Sequence, residues 1–169
     1  YDTMQGFGFR AVSGEATAFA HSPELSAGAI LRAAKTVAAV KNGHSGKLAL
    51  PPNATNNPLY SDLNPMTELN FDSKVALLSE IDSYLRNLDD RVVQVMASIS
   101  GEWQAIRIIR PNGSHGADIR PLVQLNISVT VADGSRMENG SRGTGGRAGY
   151  SSFIDPNAWQ SQANEALRQ

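Results

Sequence analysis

Residues Leu122 to Val131 constrain the fold most, because apolar and polar side chains alternate there without a break. Side chains of a β-strand point alternately to its two faces, so this stretch predicts a half-buried strand. A shift of one residue in register would turn its whole apolar set towards water. That set is Val123, Leu125, Ile127, Val129 and Val131. The stretch from Arg91 to Tyr150, with this strand at its centre, is therefore expected to be what the rest of the chain packs against.

Turn signals on both sides of this strand predict an antiparallel meander. The strands Val92 to Ser100 and Trp103 to Arg110 are predicted to form a hairpin with a turn at Gly101-Glu102. Further turns are predicted at Pro111-Asn112-Gly113 and Asp133-Gly134, and Ser135 begins a returning edge strand.

Earlier in the chain, Gln5 to Phe19 predicts a separate hairpin with its turn at Ser13-Gly14. Gly6 and Gly8 leave one face of it bare, which indicates either close approach by another backbone or a bulge.

Three helices are predicted from capping residues and apolar spacing. Ser22-Pro23-Glu24 is typical of a helix start, and Asn42-Gly43 of its end. Asn70 is expected to cap the second helix, and Asp155-Pro156 to begin the third. The apolar stripes are Ile30, Leu31, Ala34, Val37 and Ala38; Val75, Leu78, Ile81, Leu85 and Leu88; and Trp159, Ala163, Ala166 and Leu167.

The fold class is therefore α+β, an antiparallel sheet of hairpins with two main helices packed on it and a truncated C-terminal helix. The stretch 43–70 is predicted to be a long loop, either an interface segment or a surface excursion. Because the last helix has no end signal, the chain is expected to be a fragment. Residues 1–150 would be one α+β domain, and 151–169 the start of a helix leading to a further domain.

Composition excludes several classes of function. The net charge is −1 and no basic cluster stands out, which argues against nucleic acid and a charged membrane surface. There is no cysteine, so the chain has no disulfide and no thiolate ligand. His21, His44 and His115 lie outside any metal-ligand spacing, and the carboxylates are dispersed.

The stretch Gly140 to Gly149 contains five glycines and two arginines. It is either a flexible connector or a segment that exposes backbone amides, Arg142 and Arg147 to an extended ligand. Arg120 precedes Pro121 at the strand entry, where an ion pair with Asp118 or another acid is favoured over substrate contact. Composition and spacing alone would leave a soluble α+β domain of unknown activity.

Several segments, in order, resemble the TldD/PmbA family. They are Gln5 to Glu15 with Thr17 to Ala20, Pro58-Leu59-Tyr60, Arg91-Val92, Ala97 to Gly101, Ala117 to Val123, and Gly145-Gly146-Arg147 with Gly149-Tyr150. The matches at Arg10 to Glu15 and at Arg120-Pro121-Leu122 are more similar to the TldD branch than to the PmbA branch.

The resemblance implies the N-terminal, non-catalytic portion of a cytoplasmic zinc metallopeptidase that acts on unfolded or extended peptides. It also implies a PmbA-like subunit, or a second copy, as partner. The family's zinc-binding His-Glu-x-x-x-His helix and later cysteine ligand have no counterpart here, so no catalytic or metal residue is assigned. Substrate-passage candidates are Arg120, Gly145, Gly146 and Arg147. Two alternatives are a peptide- or partner-binding module that uses a sheet edge, and a gyrase-modulator role.

Overall fold

The computed structural model describes residues 2–41 and 59–169, and the chain divides into two compact units, residues 1–54 and 55–169. In the first unit, strand β1 (Phe7–Ser13) pairs antiparallel with β2 (Ala16–Ser22). The predicted turn is confirmed, and Gly14 adopts a φ of 59° there. Helix α1 (Ala27–Ala38) packs on this hairpin and ends in a short 3₁₀ turn, Ala39–Lys41.

The predicted start of α1 at Ser22-Pro23-Glu24 is wrong. Ser22 still belongs to β2, opposite Phe7, and its hydroxyl accepts a hydrogen bond from the Glu24 amide. Ser26 is the N-cap instead, since its hydroxyl oxygen accepts a hydrogen bond from the amide of Ala29 at 3.1 Å. Sheet pairing therefore occupies the first capping signal, and the next serine begins the helix.

The predicted apolar stripe of α1 is also largely wrong. The buried side chains are Ala29, Ala33 and Val37, whereas Ile30 and Leu31 are 39% and 61% exposed. Small residues on the packed face let a helix lie close to the hairpin, and the larger side chains point away from it.

Gly6, just before β1, and Gly8, within it, differ in what they contact. A Cβ added at Gly6 would lie 3.0 Å from the carbonyl oxygen of Ser22, so another backbone does approach closely there. At Gly8 the neighbour is the ring of Phe19, at 3.2 Å. The expectation of a close backbone therefore holds for Gly6 but not for Gly8.

The second unit contains a three-stranded antiparallel sheet in the order β3-β4-β5. Its helices are α2 (Pro65–Glu68), α3 (Phe71–Leu88), α4 (Ser151–Ile154) and α5 (Pro156–Arg168). Its strands are β3 (Val92–Ile109), β4 (His115–Asp133) and β5 (Arg136–Gly146). The α+β class and the antiparallel arrangement are thus confirmed.

The alternation predicted for β4 is confirmed by burial. Val123, Leu125, Ile127 and Val129 are at most 2% exposed, while Gln124 and Asn126 face solvent. Helices α3 and α5 cover the apolar face with Ile81, Leu85, Trp159, Ala163 and Ala166, all of them buried. The rings of Tyr84 and Trp159 meet edge to face at 5.3 Å, which joins the two helices over the sheet.

The predicted stripe of α3 is correct at its centre only. Ile81 and Leu85 are fully buried, and Leu78 packs against the core. Val75 and Leu88 are 44% and 49% exposed, whereas Leu77, which is outside the predicted stripe, is buried. The capping predictions are confirmed: Asn70 Oδ1 accepts from the Ser73 amide, and Asp155 Oδ1 from the Asn157 amide.

The predicted turn at Gly101-Glu102 is wrong, because β3 runs through it as one continuous strand. Gly101 pairs with Val123 and Glu102 with Leu122. A Cβ at Gly101 would lie 2.5 Å from the hydroxyl of Tyr150, so glycine is needed there for packing rather than for a turn. The turns at Gly113 and Gly134 are confirmed, with φ values of 81° and 61°.

The glycine-rich run is a strand over most of its length, so the interpretation as a flexible connector is wrong. β5 extends to Gly146 and pairs with β4 in an unbroken register, from Asp133 opposite Arg136 to Val123 opposite Gly146. Predictions for Asn42, Gly43, His44 and the loop up to residue 58 lie outside the described residues. Within 59–70, α2 interrupts the predicted loop.

The carboxylate of Glu68 links α2 to the start of α4 through hydrogen bonds. Its two oxygens accept hydrogen bonds from the backbone amides of Tyr150 and Ser151. Both amides lie at a helix N-terminus, where amides lack helical partners and a negative charge is favourable. Tyr150 is 2% exposed, and its burial beside Glu68 raises the pKa of its phenol.

We expect Glu68→Ala to lower the free energy of unfolding by about 1–3 kcal/mol, since it leaves two amides without their acceptor. Urea denaturation followed by circular dichroism measures this loss. Glu80→Ala removes an exposed carboxylate of α3 and is the matched control. Equal effects of the two substitutions would show that the contact contributes nothing.

Candidate functional site

The outer edge of β5 is the feature of the second unit best suited to hold a ligand. Among the residues described, β5 pairs with β4 alone, so its other side is a sheet edge. The amide of Ser141 points away from β4, because it donates to the side-chain oxygen of Gln169 at 3.4 Å. Backbone groups alternate in direction along a strand, so those of Gly143 and Gly145 also point outward.

Glycine at these two positions leaves the face of the sheet beside β4 free of side chains. Neither residue has a backbone partner on its outward side within 59–169. A Cβ at Gly145 would lie 2.8 Å from the carbonyl oxygen of Val123, and one at Gly143 would lie 2.7 Å from Asn126 Oδ1. Among the residues described, the edge therefore offers backbone N–H and C=O groups at Gly143 and Gly145 that no other strand pairs with, while Gln169 occupies the outward amide of Ser141.

A shallow depression of about 510 Å³ adjoins this edge on the polar face of the sheet. It is lined in part by Met96, Ser98, Asn126, Ser128, Ser141 and Gly143. In the described part of the second unit, residues 59–169, no helix covers this face, since α3 and α5 pack on the apolar side. Within residues 59–169 this surface is therefore not covered by a helix, and it is lined by both polar and apolar groups.

The structure brings the four predicted passage residues to the end of β5. Gly145 and Gly146 lie opposite Gln124 and Val123. The guanidinium of Arg147 donates to the carbonyl oxygen of Pro121 at 3.5 Å, one residue from Arg120. The four thus lie along residues 120–124 of β4, where the strand enters the three-stranded part of the sheet, and their contact with substrate stays a prediction.

The arginines near this edge differ in how far they are engaged. Arg120 Nε lies 2.7 Å from Asp118 Oδ2, so the predicted ion pair is present. Arg142 Nε donates to Gln162 Oε1 at 3.2 Å, which turns it towards α5 and away from the polar face. Arg147 makes only its long contact to Pro121, so it is the arginine best placed to meet a ligand carboxylate.

Ser141 and Gln169 were missed in the sequence as contributors to this site. The signal was available in part, because glycines at 143 and 145 follow Ser141 at strand spacing. The contact of Gln169 with the edge could not be foreseen, since it depends on how α5 packs on β5.

The described residues do not fit a zinc site. In the ranges 2–41 and 59–169, no three histidine or carboxylate side chains come close enough to hold a metal ion. His21 lies in β2 and His115 begins β4. Over the same ranges, every helix is too short or too polar to cross a bilayer.

Comparison with known proteins identifies the family. The family model described as PmbA/TldA metallopeptidase central domain matches residues 64–169. A Haemophilus influenzae protein named Metalloprotease TldD homolog is 38% identical over 155 residues, covering 89% of this chain and 32% of that protein. Proteins of the same name from Buchnera aphidicola, subspecies Schizaphis graminum and Acyrthosiphon pisum, are 36% and 34% identical, over 91% and 92% of this chain.

The chain spans about a third of the length of these relatives. The matched segment contains the whole β3-β4-β5 sheet and the helices that cover it. The resemblance seen in the sequence is thereby confirmed, and the chain belongs to the PmbA/TldA metallopeptidase family through its central domain.

Proposed function

We propose that this chain is a non-catalytic portion of a TldD-like zinc metallopeptidase that degrades or processes unfolded or extended peptides in the cytoplasm. Its part would be to guide the substrate and to form a subunit interface. The observation that carries the proposal is the β5 edge, where the outward backbone groups of Gly143 and Gly145 pair with no other strand of the described chain.

An extended peptide would bind by adding a strand to this edge. Strand addition uses main-chain hydrogen bonds, which every peptide can make whatever its side chains. The depression beside the edge is shallow and mixed in polarity, so it offers no enclosed pocket that would select one residue type. Such a site suits an enzyme that must accept many unfolded substrates.

Arg147 and Arg120 would act at the end of this edge. Arg147 is held only by a long contact to Pro121, and Arg120 is half-exposed beside Asp118. A guanidinium can pair with a carboxylate of the passing peptide or steer it along the strand. Gly145 and Gly146 would let the peptide backbone pass close beneath them.

The metal chemistry is assigned to the remainder of the full-length protein. The relatives are named metalloproteases, and zinc is the metal that the family resemblance implies. The chain alone is therefore expected to bind no zinc stoichiometrically and to hydrolyse no peptide. Tight zinc binding by the 169-residue chain would contradict this division of roles.

The proposal is tested by binding of an unstructured ten-residue peptide to paired variants at one position. Gly143→Pro removes the outward N–H, whereas Gly143→Ala adds a similar carbon and keeps it. Loss of one hydrogen bond of about 1 kcal/mol corresponds to a roughly fivefold higher Kd for the proline variant. Calorimetry measures the Kd of both variants and of the unsubstituted chain.

Gly143→Ala should bind within about twofold of the unsubstituted chain, because the Asn126 carboxamide can move aside. A peptide with alternate backbone amides N-methylated should lose affinity for every form. Equal affinity of all variants, or of the methylated peptide, would exclude strand addition at this edge.

The same edge also supports a second function, a binding module without any associated peptidase. The partner would then be a PmbA-like protein or another protein that inserts a strand, as in a gyrase-modulator role. A His-Glu-x-x-x-His motif in the full-length protein favours the peptidase, and its absence favours the module. Direct DNA binding is disfavoured by the net charge of −1.

A further inference from the structure

The opposite edge of the sheet, strand β3, lacks the features that usually protect an edge. β3 is 18 residues long and contains no lysine and no proline. Its only charged residues are Glu102 and Arg107, and its one irregularity lies at the start, between Val92 and Gln94. Edge strands of soluble proteins are normally short, charged, bulged or covered, because an unpaired edge recruits other strands.

Apolar side chains are concentrated along this edge. They are Val93, Met96, Trp103, Ile108 and Ile109, with exposures between 39% and 73%. Beside the first half of β3, a groove of about 380 Å³ separates it from α3 and is lined by Val75, Leu78, Val95 and Ala97. An edge with this much exposed apolar surface is characteristic of a protein interface.

The far half of β3 also lacks a third strand. β5 ends at Gly146 opposite Val123, so Glu102 to Ile109 pair only with His115 to Leu122 in the described part of the sheet. A two-stranded ribbon is only marginally stable in water, and a sheet normally needs three or more strands to be stable by itself. The middle of this ribbon on β3 is Ala105.

We propose that β3 pairs antiparallel with β3 of a second copy of this chain, about a two-fold axis near Ala105. Two ribbons joined in this way make a four-stranded sheet from Gly101 to Ile109 of both copies, roughly 30 Å long. The inference deepens the subunit-interface part of the proposed function, rests on that part, and is independent of peptide binding at β5.

The composition of β3 favours a copy of itself as the partner. A two-fold axis normal to the sheet at Ala105 places residues that are equally far from Ala105 opposite each other, so Trp103 lies opposite Arg107 of the other copy. Residues opposite each other point to the same face of the sheet. The guanidinium can then lie over the indole ring. Glu102 lies on the other face of the sheet, and no like charges are opposed in this register.

Because the chain has no cysteine, single cysteine variants test this register directly. In the 169-residue chain, Ala105→Cys places two thiols opposite each other at the axis, within the Cα spacing that a disulfide requires. Mild oxidation should convert most of this variant to a covalent dimer. Ser135→Cys, in the exposed turn after β4, is the matched control and should stay uncrosslinked.

Sedimentation equilibrium of the cysteine-free chain gives the second readout. Ala105→Lys opposes two like charges at the axis and should raise the dimer Kd about fivefold or more, whereas Ala76→Lys on the exposed side of α3 should not. If the chain is still a monomer at about 100 μM, its self-association is weaker than that of stable interfaces of this type, and the proposal would be overturned.

Two other outcomes would also overturn it. If the chain dimerises and cysteine variants crosslink elsewhere but not at Ala105, Gln104 or Ile106, β3 is not the interface. If the chain pairs only with a PmbA-like homologue, the partner is not a second copy. Peptide affinity measured on the Gly143 variants distinguishes either failure from failure of the β5 site.

Discussion

Replacing Gly140 with alanine is expected to destabilise the second unit by about 3 kcal/mol or more, near the upper end of overpacking effects. Gly140 is buried in β5, and an added Cβ would collide with the carbonyl oxygen of Ala166 in α5. Because the obstacle is backbone rather than a flexible side chain, α5 must move away from the sheet. Urea denaturation followed by circular dichroism measures the loss.

Gly146→Ala provides the matched control. Gly146 lies on the same strand and the same face, and a Cβ there would meet only the ring of Phe153, at 3.5 Å. Its effect should stay within about 0.5 kcal/mol. Similar losses for the two variants would mean that α5 does not pack against β5 at Gly140.

The second large effect is expected for Leu125→Ala, with a loss of about 2–5 kcal/mol of unfolding free energy. Leu125 is 1% exposed and lies in the core beneath Trp159 and α3. The substitution removes buried apolar surface and leaves a cavity that the closely packed helices cannot easily fill. The midpoint of urea unfolding should fall with little change in the slope.

Asn126→Ala, at the next residue of the same strand, is the control for this prediction. Its side chain is exposed on the polar face, so the change should be within about 0.5 kcal/mol. A loss at Asn126 equal to that at Leu125 would contradict the burial of one face of β4.

The features of this fold that depend on local chemistry were predictable from the sequence. The alternation of Leu122 to Val131 determined which face of β4 is buried. The turn glycines at 113 and 134, and the caps at Asn70 and Asp155, were also correctly predicted, because each acts through its nearest neighbours. Residues of this kind require no knowledge of the rest of the chain.

The errors occurred where tertiary contacts override the local signal. Gly101 resembles a turn residue, but it is needed because Tyr150, distant in sequence, packs against it. Ser22 resembles a helix cap, but it is paired in β2. Gly140 lies in a run that looks flexible, but it is a strand residue opposite Val129, and the approach of α5 leaves no room for a Cβ there.

The candidate site was predictable only as a cluster of residues. Gly145, Gly146, Arg147 and Arg120 do come together, because β5 ends opposite the entry of β4. What the sequence could not indicate is the direction of the backbone groups, which follows from the contact of Ser141 with Gln169. That direction decides whether the glycines face the sheet or an incoming peptide.

Amide hydrogen exchange along β5, measured with and without a saturating unstructured peptide, tests the proposed function most directly. Strand addition predicts that the amides of Gly143 and Gly145 exchange about tenfold or more slowly in the complex. The amides of Arg142 and Thr144 face β4 already and should change little. A bound peptide that leaves Gly143 and Gly145 unprotected would contradict the proposal that this edge receives the substrate.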